Sequence, residues 1–196
     1  MKKVFALVLA VLMTALLAGC GGTQAKTKTN SASPKKNGNV LVVYFSNTRN
    51  TKAAAETRAK TSGGTLNAII PQNPYTAADL DYNSADCRAN REQNDPKARP
   101  AIKGSIPNWE KYDTVFVGYP IWWGKEPRIM DTFAEQYDFS GKTVVPFCTS
   151  GSSDIGSSGE DLAKLAGSGK WLPGKRLTAE VSTSEITSWL SELGLQ

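Results

Sequence analysis

The chain has 196 residues, a formal net charge of +5 and no histidine. The missing imidazole excludes Ser-His-Asp catalysis and histidine-dependent zinc hydrolysis. Six of the 23 basic residues (Lys2, Lys3, Lys26, Lys28, Lys35 and Lys36) and none of the 18 acidic ones lie in residues 1–37. Residues 38–196 therefore carry 17 basic against 18 acidic side chains, a net of −1, and basicity gives no ground for nucleic-acid binding.

Residues 1–19 have the layout of a signal peptide. Lys2 and Lys3 precede an apolar run, Val4 to Leu17, broken only by Thr14. That run falls short of the roughly 20 residues a bilayer span needs and suits a signal-peptide h-region. Leu17-Ala18-Gly19-Cys20 resembles the lipobox of bacterial lipoproteins, in which the chain is cut before the cysteine and the cysteine carries the lipid. An ordinary signal peptide with an incidental cysteine is the competing reading, but Cys20 stands directly between the apolar run and a polar stretch. The expectation is lipidation at Cys20 and a domain held at the extracytoplasmic face of a bacterial membrane. From 21 to 37 no apolar residue exceeds alanine, so residues 20–37 are expected to form a flexible tether.

The remaining residues, 38–196, suit one domain with a full core. Asn39–Ser46 is a nearly continuous apolar run, the pattern of a strand buried on both faces of a parallel sheet. An alanine-rich helix over about Asn50–Thr61 follows, ending near Gly63-Gly64. Further strands are predicted at Thr65–Ile70, Asp113–Tyr119 and Lys142–Cys148, and a weaker fifth at Lys175–Val181. Pro127 suits the first turn of a helix whose apolar face is Ile129, Met130, Phe133, Ala134 and Tyr137. Ser157–Glu160 and Ser182–Glu185 both have capping-box spacing before helices that end near Gly167 and Gly194. The proline-rich stretch Asn73–Pro107 supports only short helical pieces, near Tyr75–Leu80 and Ser84–Gln93, and a connection that long commonly covers a site. The alternation predicts a doubly wound α/β sandwich with a five-stranded parallel sheet.

Ligands of such sheets sit at the carboxyl ends of the strands, near the point where strand order reverses. Three loops qualify. Ser46-Asn-Thr-Arg-Asn-Thr51 offers hydroxyls and the free N–H groups of a helix start, a cradle for phosphate or equally a good N-cap cluster. In Tyr119-Pro-Ile-Trp-Trp-Gly124, adjacent tryptophans of an extended loop face opposite ways, so at least one is exposed or covers a ligand. Thr149-Ser-Gly-Ser-Ser-Asp154 lets backbone approach a flat ligand closely, or is an ordinary flexible loop. A serine hydrolase built on Ser46 or Ser152 has neither a histidine base nor a G-x-S-x-G elbow. Cys87 and Cys148 are the two cysteines left after processing, and whether they pair is not legible.

VVYFSNTRNT, YNSADCRANREQNDPKARPAI, GYPIWWG and PFCTSGSSDIG resemble the bacterial flavodoxin-like proteins of short-chain type, over essentially all of residues 39–196. The resemblance implies strand order 2-1-3-4-5 and an FMN cofactor. It implies that Ser46, Thr48, Asn50 and Thr51 hold the phosphate. Pro120, Ile121, Trp122, Trp123 and Gly124 would border the flavin on one side, and Ser150, Gly151 and Ser152 on the other. No side chain then need be catalytic, and the protein would be an electron carrier or an FMN-dependent oxidoreductase. Arg49 stands where the family has glycine, so a positive φ there would carry strain. Its guanidinium could instead add a charge-assisted bond to phosphate, or the loop could have lost FMN altogether. Arg58 occupies a helix face that the pattern would make apolar and is expected to snorkel outward.

Overall fold

A computed structural model describes residues 39–195. The leader, Cys20 and the tether lie outside the described residues. Among those described, no helix is long and apolar enough to cross a membrane.

The core of the sheet is β1 (Val40–Tyr44), β3 (Thr114–Pro120) and β4 (Thr143–Thr149), flanked by β2 (Thr65–Ala68) at one edge. All pairings are parallel, in the predicted order β2-β1-β3-β4-β5, with β5 at Lys170–Trp171. The uniform apolarity of the central strands follows from burial on both faces. Leu41, Val43, Val115 and Val117 point to a layer formed by α3 (Arg128–Gln136) and α4 (Ser158–Ala166). Val42, Phe116, Val145 and Phe147 point to α1 (Asn50–Ser62) and α5 (Thr183–Glu192). Gly118 allows this layering to close, because a Cβ there would stand 2.3 Å from the Phe147 ring.

Three local expectations are corrected. The fifth strand is two short pieces on β4, β5 (Lys170–Trp171) and β6 (Lys175–Arg176), rather than one strand over Lys175–Val181. Pro146 in β4 and Pro173 in the gap both lack an N–H, so the ladder cannot continue between the pieces. Ser157 forms no capping box. Its backbone is helical (φ −84°, ψ −3°) rather than extended, and its hydroxyl bonds Asp161 instead. Ser182–Glu185 does form the reciprocal box. Pro127 is the N-cap of α3, one residue outside the helix.

Arg58 does not snorkel outward. It is only 2% exposed, lying beneath α1 with its guanidinium 3.5 Å from the centroid of Phe116. Nε and Nη1 have no hydrogen-bond partner, and burial lowers the pKa to about 10, so the group stays charged at neutral pH. A desolvated cation–π contact contributes about 2 kcal/mol, whereas desolvating the ion costs several. Arg58→Met, which keeps the volume and removes the charge, is therefore expected to raise the unfolding free energy by about 1–3 kcal/mol in urea titration. A loss of stability would mean that the cation is compensated.

The polar connection between β2 and β3 packs as a cover. It contains a 3-10 turn at Ala78–Leu80, helix α2 (Arg88–Asn94) and a second 3-10 turn at Trp109–Lys111. Tyr75 anchors it, with its ring under the Arg88 guanidinium and its hydroxyl donating to Glu92 at 2.5 Å. Cys87 and Cys148 are both buried and free.

Candidate functional site

The chain leaves β1 toward β2 on one side and enters β3 on the other, so the crevice at the carboxyl ends of β1 and β3 is the topological switch point. A cleft of about 240 Å³ opens there. Of the predicted site residues, Thr48, Asn50, Thr51, Pro120, Ile121, Trp122, Ser150 and Gly151 line it. Ser46, Arg49, Trp123, Gly124 and Ser152 belong to the same three loops but are not among its lining. Asn47, Leu80, Tyr82 and Thr149 also line it. Leu80 and Tyr82 arrive from the long connection, whose length had marked it as a cover without singling out either residue.

The first loop ends in α1, whose opening N–H groups have no intrahelical acceptor. Arg49 is the N-cap and adopts the left-handed conformation (φ 71°, ψ −13°), with no side-chain cap bond. Its carbonyl accepts from Ala53 N at 2.9 Å, and its side chain is exposed. The left-handed backbone that the family glycine would favour is thus present, carried by an arginine at a cost of about 1 kcal/mol. Ser46 Oγ is buried beneath this loop and has no hydrogen-bond partner. Thr51 is buried, and its hydroxyl meets that of Thr149 at 2.7 Å, joining the first loop to the third.

The second loop splits its tryptophans as their adjacency requires. Trp122 is buried against Phe45 and Tyr75, with ring centroids 5.5 and 5.2 Å away. Trp123 is 38% exposed and stacks on exposed Tyr82 at 4.4 Å and 28°. Trp122 and Lys125 exchange backbone hydrogen bonds around Trp123-Gly124, where φ is 46° and 79°. A tight turn with positive φ at both central residues favours Asn-Gly, so a tryptophan there is a second strained position. Of three described non-glycine residues with positive φ, two stand in the cleft loops, and such outliers concentrate at functional sites. Ile121 N donates to Thr149 O at 3.0 Å, and Arg176 Nη1 donates to Ser152 O at 2.6 Å, which together pin the third loop.

Ionisable chemistry is held beneath the cleft. Burial pushes the Cys148 thiol up to about 12, removing it as a nucleophile. Burial also raises Tyr119, whose hydroxyl sits 3.0 Å from that of Ser158. Desolvation drives Glu126, at the base of the second loop, up to about 7. No carboxylate, amine or thiol lines the cleft, and no cluster of metal-ligating side chains occurs among the described residues. The arrangement can bind an anion at one end and a flat polar heterocycle at the other.

A search of the curated proteins finds no match. Among solved structures, a candidate flavoprotein of Bacteroides eggerthii is 46% identical over 82% of this chain and all of its own, with a TM-score of 0.78. One from Bacteroides uniformis is 41% identical over 80% of this chain and 99% of its own, at 0.74. A Lactobacillus acidophilus flavoprotein, solved in complex with FMN, shares the fold at 21% identity, covering 78% and 98% of the two chains with a TM-score of 0.61. The sequence profile described as flavodoxin matches residues 39–193, and the chain belongs to the flavodoxin family.

Proposed function

We propose that this domain binds FMN in the three-loop cleft and serves in electron transfer or flavin-dependent reduction at the outer surface of the cell membrane. The observation that carries this reading is the first loop. The Ser46 hydroxyl is buried without a partner, and four residues on, the same loop opens the 13-residue helix α1. A hydroxyl and the opening N–H groups of a helix are the donors a phosphate monoester requires. Thr48, Asn50 and Thr51 complete the cradle, while Pro120–Gly124 and Ser150–Ser152 supply small residues and backbone groups for the flat ring. Bound FMN would bring one- or two-electron redox chemistry, and the protein's share is binding, orientation and electrostatics. The Arg49 side chain is exposed and makes no cap bond to the helix start, which leaves those N–H groups to a ligand. That weighs against the loop having lost its ligand.

The anchor rests on the residue pattern from Lys2 to Cys20 and places the flavin outside the cytoplasm. Cys20→Ala is expected to abolish palmitate labelling and to move the protein out of the membrane fraction. Retained labelling would overturn the anchor.

Titration of the flavin-free protein with FMN, followed by quenching of flavin fluorescence, is expected to show one site per chain. A protein that never quenches FMN would refute the cofactor. Ser46→Ala is expected to weaken FMN about 10- to 100-fold, the worth of one hydrogen bond to a charged acceptor. Arg49→Gly separates strain from charge. Apo stability is expected to rise by about 1 kcal/mol in urea titration, as the left-handed position is relieved. FMN affinity is expected to fall several-fold at low salt and little at high salt, since an exposed guanidinium acts through a screened field.

A further inference from the structure

Beneath the second loop lies a polar cluster that binding alone does not explain. Glu126 and Asp131 are each 1% exposed. Glu126 Oε2 and Asp131 Oδ1 have no hydrogen-bond partner, and neither has Gln93 Oε1. The cluster is wired to the loop. Gln93 Nε2, from α2, donates to Trp122 O at 3.0 Å and to Glu126 O at 3.1 Å, the first residue of the strained Trp122–Lys125 turn and the residue just after it. Arg128 Nη2 donates to Gln93 O at 3.0 Å, and Nη1 reaches Asp131 Oδ2 at 2.9 Å. Arg99 lies 3.7 Å from the same Asp131 oxygen and is itself held by Glu135.

Two buried carboxylates that interact, each with one unpartnered oxygen, are not stable as a doubly charged pair. Arg128 and Arg99 both lean on Asp131, which keeps that group the anion. Glu126 has no such partner. Desolvation outweighs the hydrogen bond to its own backbone N–H and the pull of Lys125, which is exposed and paired with Asp161, and Asp161 adds a negative charge of its own from α4. Tyr119, from β3, is neutral. Burial raises the Asp131 carboxyl above its usual range, while Arg128, Arg99 and a contact with Glu126 pull it back. The proton therefore belongs on Glu126, which donates to Asp131.

We propose that this single proton, shared by Glu126 and Asp131, positions the Trp122–Glu126 turn for the flavin, making Glu126 a positioning residue whose ionisation weakens FMN binding. Desolvation places its titration near 7. The sign follows: folded Glu126 is protonated at mildly acidic pH, and above neutrality the loss of its proton leaves two anions under a turn already strained. FMN affinity then falls as pH rises. The proposal rests on the FMN reading for its functional consequence, whereas the shared proton can be observed without ligand.

Two measurements on the purified full chain decide it. FMN dissociation constants from pH 5.5 to 8.5 are expected to weaken about tenfold or more in the native protein. In Glu126→Gln, which mimics the protonated acid, the constant is expected to stay near the native low-pH value. Titration of the FMN phosphate is common to both proteins, so the difference between profiles carries the result; parallel profiles would overturn the proposal. In the apo protein, carboxyl-detected NMR is expected to show one glutamate titrating near pH 7, absent from Glu126→Gln. The amide shifts of Trp122–Lys125 should follow the same midpoint. A glutamate that titrates normally, or a turn that ignores it, would overturn the proposal. A native protein that shows this linked titration but binds no FMN would instead overturn the cofactor reading.

Discussion

Burial of β1, β3 and β4 from both faces is the constraint on which the rest of this structure depends. Each strand alternates its side chains between the α3/α4 layer and the α1/α5 layer, so nearly every residue is apolar and solvent-free. At about 1.5–3 kcal/mol for each large side chain removed from water, these strands supply the dominant driving force. They also fix direction. Three parallel, adjacent strands must release the chain at one edge, and the loops that follow them have no choice but to meet. The cleft is therefore a by-product of the same packing that stabilises the fold. Its composition is free to vary because its position is not.

That division explains where the fold tolerates polar expense. The central strands contain no unpaired charge, and the unpartnered buried atoms lie at their margins. Arg58 sits on the helix layer, where its alkyl stem packs as an apolar residue would and the Phe116 ring accepts the head group. Ser46, Gln93, Glu126 and Asp131 gather around the cleft loops. An unpaired buried polar atom costs about 1–3 kcal/mol. A concentration of them beside two left-handed non-glycine residues is hard to attribute to packing alone. Local instability of that kind is what a ligand, once bound, can repay.

Residues with strong periodicity were legible from the sequence, because two-sided strands and amphipathic helices leave marks that depend on one segment alone. The central strands and the four main helices belong to this class, as does the split between Trp122 and Trp123, which follows from adjacency, whereas the strand order came from the family resemblance. Features that depend on two segments were not legible. Nothing local to Arg58 reveals that Phe116 lies opposite it. Capping-box spacing occurs at both Ser157 and Ser182, yet only Ser182 has the extended backbone that lets the side chain turn back. Pro146 reads as an ordinary strand residue until Pro173 is found beside it and the edge strand divides. Tyr82 lies in a polar stretch without periodicity, so its stacking on Trp123 has no sequence signal beyond its being an isolated aromatic.

The cleft itself carries no acid, base or thiolate, and this bears on how such a site can change. Its contacts are hydroxyls, amides, main-chain groups and aromatic faces, which hold a ligand without competing with its chemistry. Ionisable groups lie one layer down, with their protonation set by burial: Cys148 and Tyr119 neutral, Glu126 poised near neutrality, Asp131 raised by burial and partly held down by Arg128 and Arg99. From that depth a charge acts on the loop through geometry and field rather than by contact. A substitution in this second layer can then alter affinity or potential while every lining residue stays in place. Comparing only the residues that touch the ligand would therefore miss differences between members of the family. In this chain the positions of that kind are the strained Arg49 at the helix start and the buried carboxyl pair of Glu126 and Asp131.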